Sequence, residues 1–361
     1  MQTKRRDPIR QVKLTFDKKH KNLEDVRGEI STCVVVDNTL FLAYDESSAI
    51  ERLLETDDGY GKHKCYELAD FFELPDGSEG EMDIEGLAWE EPFLWFTGSM
   101  SLKRNTPDSD DDHATGSEKL QTIGVDKNRF SLGRIPCKFN AKTGKWTPKK
   151  KVAISGTTHR AMLLEGGSDS TVLTELLSTD PHLSRFMDIP CKDNGFDIEG
   201  LAVNRDRIFI GLRGPVIGGW AIILEFGVHE HGDFLHLNGR GHRDKPYRKH
   251  FLNLAGMGIR EINVDDATGD LLLLAGPTMD LDGTISAWCV RGGLPEEEVS
   301  TIHAPTRLYD VTYGGQHAYG KDKAEGMSIL EDGTHMIVYD SPLPDRLVGK
   351  NGVLADVYHP D

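Results

Sequence analysis

Asp83-Ile-Glu85-Gly-Leu-Ala88 recurs almost unchanged as Asp197-Ile-Glu199-Gly-Leu-Ala202, and Glu325-Gly-Met-Ser328 repeats its centre. Glu29-Ile-Ser-Thr32 and Glu261-Ile-Asn-Val264 read as weaker copies. A turn and an apolar run follow each phrase, at 40–43, 94–96, 208–211, 271–274 and 336–338. Each unit therefore reads as strand, turn, strand. Self-similarity at a near-constant period signals a repeat architecture. The acidic residues are 56 residues apart from Glu29 to Glu85, then 114 to Glu199, 62 to Glu261 and 64 to Glu325. Wrapping from Glu325 through the C-terminus to Glu29 gives 65.

The 114-residue step is close to two periods, which predicts one more, degenerate unit within residues 133–165. Six units of about 60 residues, each long enough for a four-stranded sheet and its loops, describe an all-β, six-bladed β-propeller forming a single domain over residues 1–361. The alternation over residues 12–16 predicts an N-terminal strand that completes a blade with C-terminal strands and shields their edges. Residues 1–10 are expected to be a flexible basic segment, and 105–118 a polar surface loop. Helical periodicity is detectable only over 47–54 and 171–177.

Composition fits this reading. The 361 residues include 38% hydrophobic ones, sufficient for a core, and 38 glycines, which suit many tight turns. The net charge of −17 disfavours nucleic acid as a partner. Residues 1–22 carry eight Lys/Arg against Asp7 and Asp17, so this segment is +6 and the remainder −23. No apolar stretch approaches the ~20 residues of a membrane-crossing helix, and a soluble, cytoplasmic protein is expected. Five widely spaced cysteines with no C-x-x-C pair favour reduced thiols over a disulfide framework or zinc site.

In a blade, the start of the first strand and the end of the second lie on the same rim. The starts supply Glu29, Asp83, Glu85, Asp197, Glu199, Arg260, Glu261 and Glu325. The ends supply Asp45, Lys103, Arg104, Arg213, Asp280 and Asp340, with His159 and Arg160 as the counterpart from the degenerate unit. Carboxylates converging on an axis need a cation or arginines to neutralise them. All-oxygen ligands suit Ca²⁺, with Mg²⁺ or Mn²⁺ as alternatives, and Glu85, Glu199 and Glu325 are the expected ligands. Lys103, Arg104, Arg160, Arg213 and Arg260 suit an anionic small molecule. Asp45, His159 and Asp340 are the candidate general bases. The same carboxylates could instead bind backbone N–H groups of the next blade, and the glycine fit a crowded axis. His229, His231, His236 and His242 match no standard metal spacing, and Asp108–Asp112 lack the glycine and final glutamate of an EF-hand.

The Asp-Ile-Glu-Gly-Leu-Ala phrases, Thr-Gly-Ser-x-Ser-Leu-Lys-Arg (97–104), Gly-Leu-Arg-Gly-Pro (211–215), Ala-Gly-Pro-Thr-Met-Asp-Leu-Asp-Gly (275–283), Ala-Glu-Gly-Met (324–327) and Tyr-Asp-Ser-Pro (339–342) resemble the bacterial domain-of-unknown-function family 3616. They span roughly residues 25–345. Glu-Gly-Leu-Ala is also similar to a phrase of phytase-like esterase propellers. The resemblance implies a propeller and no particular activity.

Two functions follow as expectations: a metal-dependent hydrolase of a phosphorylated or otherwise anionic small molecule at the channel mouth, or a non-catalytic propeller whose rim binds a protein partner or ligand. A redox enzyme is disfavoured by the absence of dinucleotide, Walker, haem and flavin signatures, and a serine hydrolase by the absence of Gly-x-Ser-x-Gly.

Overall fold

The computed structural model describes residues 5–239, 246–279, 281–311 and 320–360. Two residues singled out in the sequence, His242 and Asp280, lie outside them. Five sheets radiate from one axis. Their first strands are Ile30–Val36, Ile84–Glu90, Asp197–Asn204, Gly258–Val264 and Lys323–Ile329, and each touches the next, the last returning to the first. Five apolar clusters fill the spaces between neighbouring sheets. This is a β-propeller, with five blades among the described residues instead of the expected six.

The missing unit explains the difference. Residues 133–165 build no inner strand: Leu132–Asn140 and Met162–Leu164 extend the second blade outward from Phe93–Gly98, and Lys151–Ile154 with Thr157–Arg160 form a separate hairpin. The 114-residue step holds insertions within one blade. Two other readings also change. Residues 47–54 fall in the strand Ala49–Thr56, whose apolar and polar side chains are buried on both faces, so that no period of two is visible. Within 105–118 the helix His113–Gln121 begins, capped by the Asp112 side chain, which accepts from Thr115 N. The segment 171–177 is helical over Val172–Leu177, with Thr171 as its N-cap.

The N-terminal strand Arg10–Thr15 pairs antiparallel with Gly352–Tyr358 as the outer strand of the fifth blade, as expected, and touches the first blade through Leu14 and Tyr60. Arg5 and Arg6 continue along Asp310. Two more strands are exchanged between neighbours: Val299–Ile302, from the fourth unit, pairs parallel with Tyr247–Leu252 of the third blade, and Phe234–Leu237, from the third unit, pairs parallel with Met162–Leu164 of the second. All five cysteines are free, four of them in strands. Among the described residues no helix is long and apolar enough to cross a membrane.

What the repeated phrase does is visible in the register. Every inner strand breaks its pairing at the same level, leaving Ser31, Glu85, Glu199, Arg260 and Glu325 unopposed. A bulge re-aims one side chain per strand, here toward the axis. The two weak copies are thus out of step: Ser31 and Arg260 occupy the Glu85 level, not Glu29 and Glu261. The next level holds Thr32, Gly86, Gly200, Glu261 and Gly326. A Cβ on Gly86 would lie 2.6 Å from that of Leu201, and one on Gly326 2.9 Å from Thr32 Cα. These glycines let the strands close on the axis and leave room for Glu261. Gly326→Ala is expected to cost about 1–3 kcal/mol through forced backbone displacement; urea unfolding measures it, and a variant as stable as the parent would contradict the packing described.

Glu261 crosses that room. Its Oε2 accepts from Thr32 Oγ1 at 2.8 Å, its Oε1 from Ile262 N at 2.9 Å, and the backbone N–H groups of Leu201 and Met327 also reach it. Thr32 Oγ1 in turn accepts from Leu87 N at 3.2 Å. Four inner strands and, through Thr32, the fifth are tied at one point. Below it the walls are apolar, with Cys33, Leu87, Leu201, Ile262 and Met327 buried.

Candidate functional site

Above Glu261 the axis opens into a cavity of about 500 Å³. The side chains of the bulged Glu85, Glu199, Arg260 and Glu325 form its floor, joined by Asp83 and Asp197 from strand starts and by Asp45, Arg213 and Asp340 from second strands or the turns after them. Residues 99–131 and 178–196 add Lys103, Arg104, Leu120, Arg129, Lys192 and Asp193 to the wall. Among the described residues eleven carboxylates and seven basic side chains line the cavity, an excess of four negative charges when all are ionised.

The basic groups are unevenly shared. Arg213 Nη1 lies 2.5 Å from Glu199 Oε1 and 3.8 Å from Asp197 Oδ2, and Arg260 Nη1 lies 2.5 Å from Glu325 Oε1 and 3.6 Å from Glu199 Oε2. Arg129 pairs with Asp83 at 3.0 Å and also with Glu81, while Lys323 stands 3.7 Å from Asp340. Beside Arg129, ligand oxygens of Asp45, Asp83 and Glu85 all lie within 4.8 Å of one another. Asp45 Oδ1 and Glu199 Oε2 are cut off from solvent and accept no hydrogen bond; Glu199 as a whole is 4% exposed.

The electrostatics follow from this crowding. Burial, with Glu325, Asp83 and Asp340 nearby, raises Asp45 well above the usual carboxylate range. Burial raises Glu85 likewise, helped by Asp83 and Asp45. Burial takes Asp197 to about 7 against the pull of Arg213, and Glu325 to about 7 with Asp340 adding to it and Arg260 opposing. A buried carboxyl among like charges holds a proton unless a cation replaces it.

The expected site residues divide accordingly. Asp45, Asp340, Lys103, Arg104, Arg213, Arg260, Glu85, Glu199 and Glu325 all reach the cavity. His159 and Arg160 do not: they sit on the outer hairpin strand Thr157–Arg160, with the His159 ring edge-on to Phe93 at 5.3 Å. Their assignment depended on the sixth blade. Glu199 and Glu325 hold arginines, and the closest carboxylate trio is Asp45, Asp83 and Glu85. Arg104 faces Asp193 at 2.7 Å and donates to the Leu120 carbonyl at 2.5 Å, so it fixes the wall. Arg129, Lys192 and Asp193 were missed because they lie in the insertions, outside any repeat, and Glu81 because it stands just before the repeated phrase; Asp83 was legible as the first residue of the phrase.

A second grouping joins His20, Glu51 and His63. His20 Nε2 lies 3.1 Å and His63 Nε2 2.6 Å from the Glu51 carboxylate, while the two Nδ1 atoms accept from Asn22 N and Asp17 N. Each ring therefore carries its proton on Nε2, facing Glu51, which leaves no lone pair there for an ion. The cluster fastens the segment after the closing strand to the first blade. His236 pairs with Glu165 at 2.9 Å on an outer edge, and Asp108 and Asp111 grip Lys119.

Compared with known proteins, the chain matches over residues 29–356 a family model described as protein of unknown function (DUF3616). No curated protein matches it in sequence. Similar solved structures include the glutaminyl cyclase of Myxococcus xanthus (9% identity, TM-score 0.43, covering 99% of this chain and 100% of that one). Others are the Cps50 (Swd1) β-propeller domain of Myceliophthora thermophila (8%, 0.33, 91% and 96%) and Pseudomonas fluorescens PhoX in complex with vanadate (12%, 0.35, 86% and 56%).

Proposed function

Because the chain belongs to the DUF3616 family of proteins of unknown function, its activity has to be read from the site, and we propose a divalent-cation-dependent hydrolase of an anionic small molecule. Asp45, Asp83 and Glu85 hold the cation. The observation that carries this reading is the approach of three carboxylates to within 4.8 Å, one of them with a buried, unpartnered oxygen. An all-oxygen donor set favours Ca²⁺, with Mg²⁺ or Mn²⁺ as alternatives.

A cation bound there would draw an anionic substrate oxygen into the acidic cavity and polarise it. Asp340, near Asp45 and 3.7 Å from Lys323, takes a proton from the attacking water and returns it to the leaving oxygen, so that one water is consumed per ester or lactone bond broken. Arg213 and Arg260 neutralise Glu199 and Glu325, and Arg129 offsets part of the charge of Asp83.

The second reading is a ligand-binding propeller without turnover, favoured by the Arg213–Glu199 and Arg260–Glu325 pairs that already satisfy much of the floor. Terbium luminescence and calcium titration calorimetry test the ion; phosphoesters and lactones assayed with Ca²⁺, Mg²⁺, Mn²⁺ or chelator test the reaction. Asp45→Asn is expected to weaken ion binding at least about tenfold, by removing one charged ligand. A folded protein that binds no ion sinks the proposal, and ion binding without turnover selects the second reading.

A further inference from the structure

Apolar side chains also line the cavity. Leu120, Met279 and Leu281 are among them and are 49%, 43% and 57% exposed, three of the nine large apolar side chains that the described residues expose to 43% or more. Scattered exposed leucines need no explanation, but these three converge from two separate segments, and polar groups of the site hold both segments. Arg104 links the Leu120 carbonyl to Asp193, and Lys119, next to Leu120, is gripped by Asp108 and Asp111. Arg213, while paired with Glu199, donates through Nε to the Thr278 carbonyl at 3.0 Å, and Arg260 reaches the Pro277 carbonyl at 3.4 Å. The acidic floor and the apolar rim are thus parts of one braced construction.

We propose that the ligand is an amphiphilic anion: a phosphate or carboxylate head that reaches the cation held by Asp45, Asp83 and Glu85, and a hydrocarbon chain lying against Leu120, Met279 and Leu281. This rests on the cation reading above. A cavity of about 500 Å³ takes a single molecule, so the ligand is a free small amphiphile and not a bilayer surface. Apolar contact at the rim selects for chain length, while the head group alone interacts with the cation.

The test titrates methyl, butyl and octyl phosphate into the calcium-loaded full chain by calorimetry, and reads the ion separately by terbium luminescence. From butyl to octyl, affinity is expected to rise about threefold per methylene, slightly under the fourfold of complete burial. In the double variant Leu120→Ser/Leu281→Ser, whose side chains are exposed in the parent, the slope flattens and terbium affinity stays the same. Equal affinity for methyl and octyl phosphate, a slope that survives in the double variant, or no phosphate binding at all overturns the proposal. Absence of terbium binding with the slope retained refutes the cation and keeps the apolar rim.

Discussion

Glu261→Ala is expected to destabilise the protein by about 3–5 kcal/mol, a large share of the roughly 5–15 kcal/mol that holds a typical domain folded. The reason is positional. The Glu261 carboxylate is the shared acceptor for Thr32 Oγ1 and for backbone N–H groups of Ile262, Leu201 and Met327, at a level whose other positions are Thr32 and three glycines. Alanine leaves several buried donors unmatched and an empty space at the axis. Glu261→Gln, which keeps one carbonyl oxygen in place, should lose less than half as much. Burial also pushes the Glu261 carboxyl well above the usual range, so it contributes stability that is complete below about pH 4 and declines as the pH rises. Urea unfolding of both variants decides the matter: a loss below about 1 kcal/mol for alanine would mean that the strands do not depend on this acceptor.

Cation affinity is expected to increase about a hundredfold from pH 5 to pH 7. Burial and neighbouring carboxylates raise Asp45 and Glu85 well above the usual carboxylate range and take Asp197 and Glu325 to about 7. An ion entering this group displaces at least one proton, and each proton displaced gives about a tenfold change per pH unit. The sign for the ion-free protein is opposite. Carboxyls whose folded pKa is raised favour the folded state at low pH, and this stabilisation is lost as the pH climbs from about 4 through 7. Glu51 and Glu225, held near 2 by their histidine and arginine partners despite burial, work the other way: their contribution is complete above about pH 4.5 and is lost progressively as the pH falls from there to about 2. Calcium should therefore raise the melting temperature more at pH 7.5 than at pH 5. Equal calcium affinity at both pH values would show that the cluster is not the ion's site.

The phrase Glu-Gly located the axis, the rim and most of the floor before any coordinates, because close strand approach demands glycine and the residue before it then faces inward. Its exact level was not legible. Bulging leaves no mark in composition, so Glu29-Ile-Ser and Glu261-Ile-Asn looked like the same phrase although Ser31 and Arg260 stand at the Glu85 level. Spacing alone could not separate an absent repeat from a long insertion, and the assignment of His159 and Arg160 fell with that inference. Asp45 and Asp340 were found because second-strand ends share the rim; Arg129 and Glu81 were not, since nothing in a repeat reports on what an insertion folds back to touch.

Three strands lie in a blade other than the one their sequence position suggests: Arg10–Thr15 in the fifth, Val299–Ile302 in the third and Phe234–Leu237 in the second. The second blade is thereby handcuffed to the third, the third to the fourth and the fifth to the first, the last of these only when the strand Gly352–Tyr358 arrives. A nascent chain on the ribosome must wait for Gly352–Tyr358 before Arg10–Thr15 finds its antiparallel partner, and a closed ring gives up no blade singly. Amide exchange should accordingly reveal one cooperative unit extending around the ring, not five that open in turn.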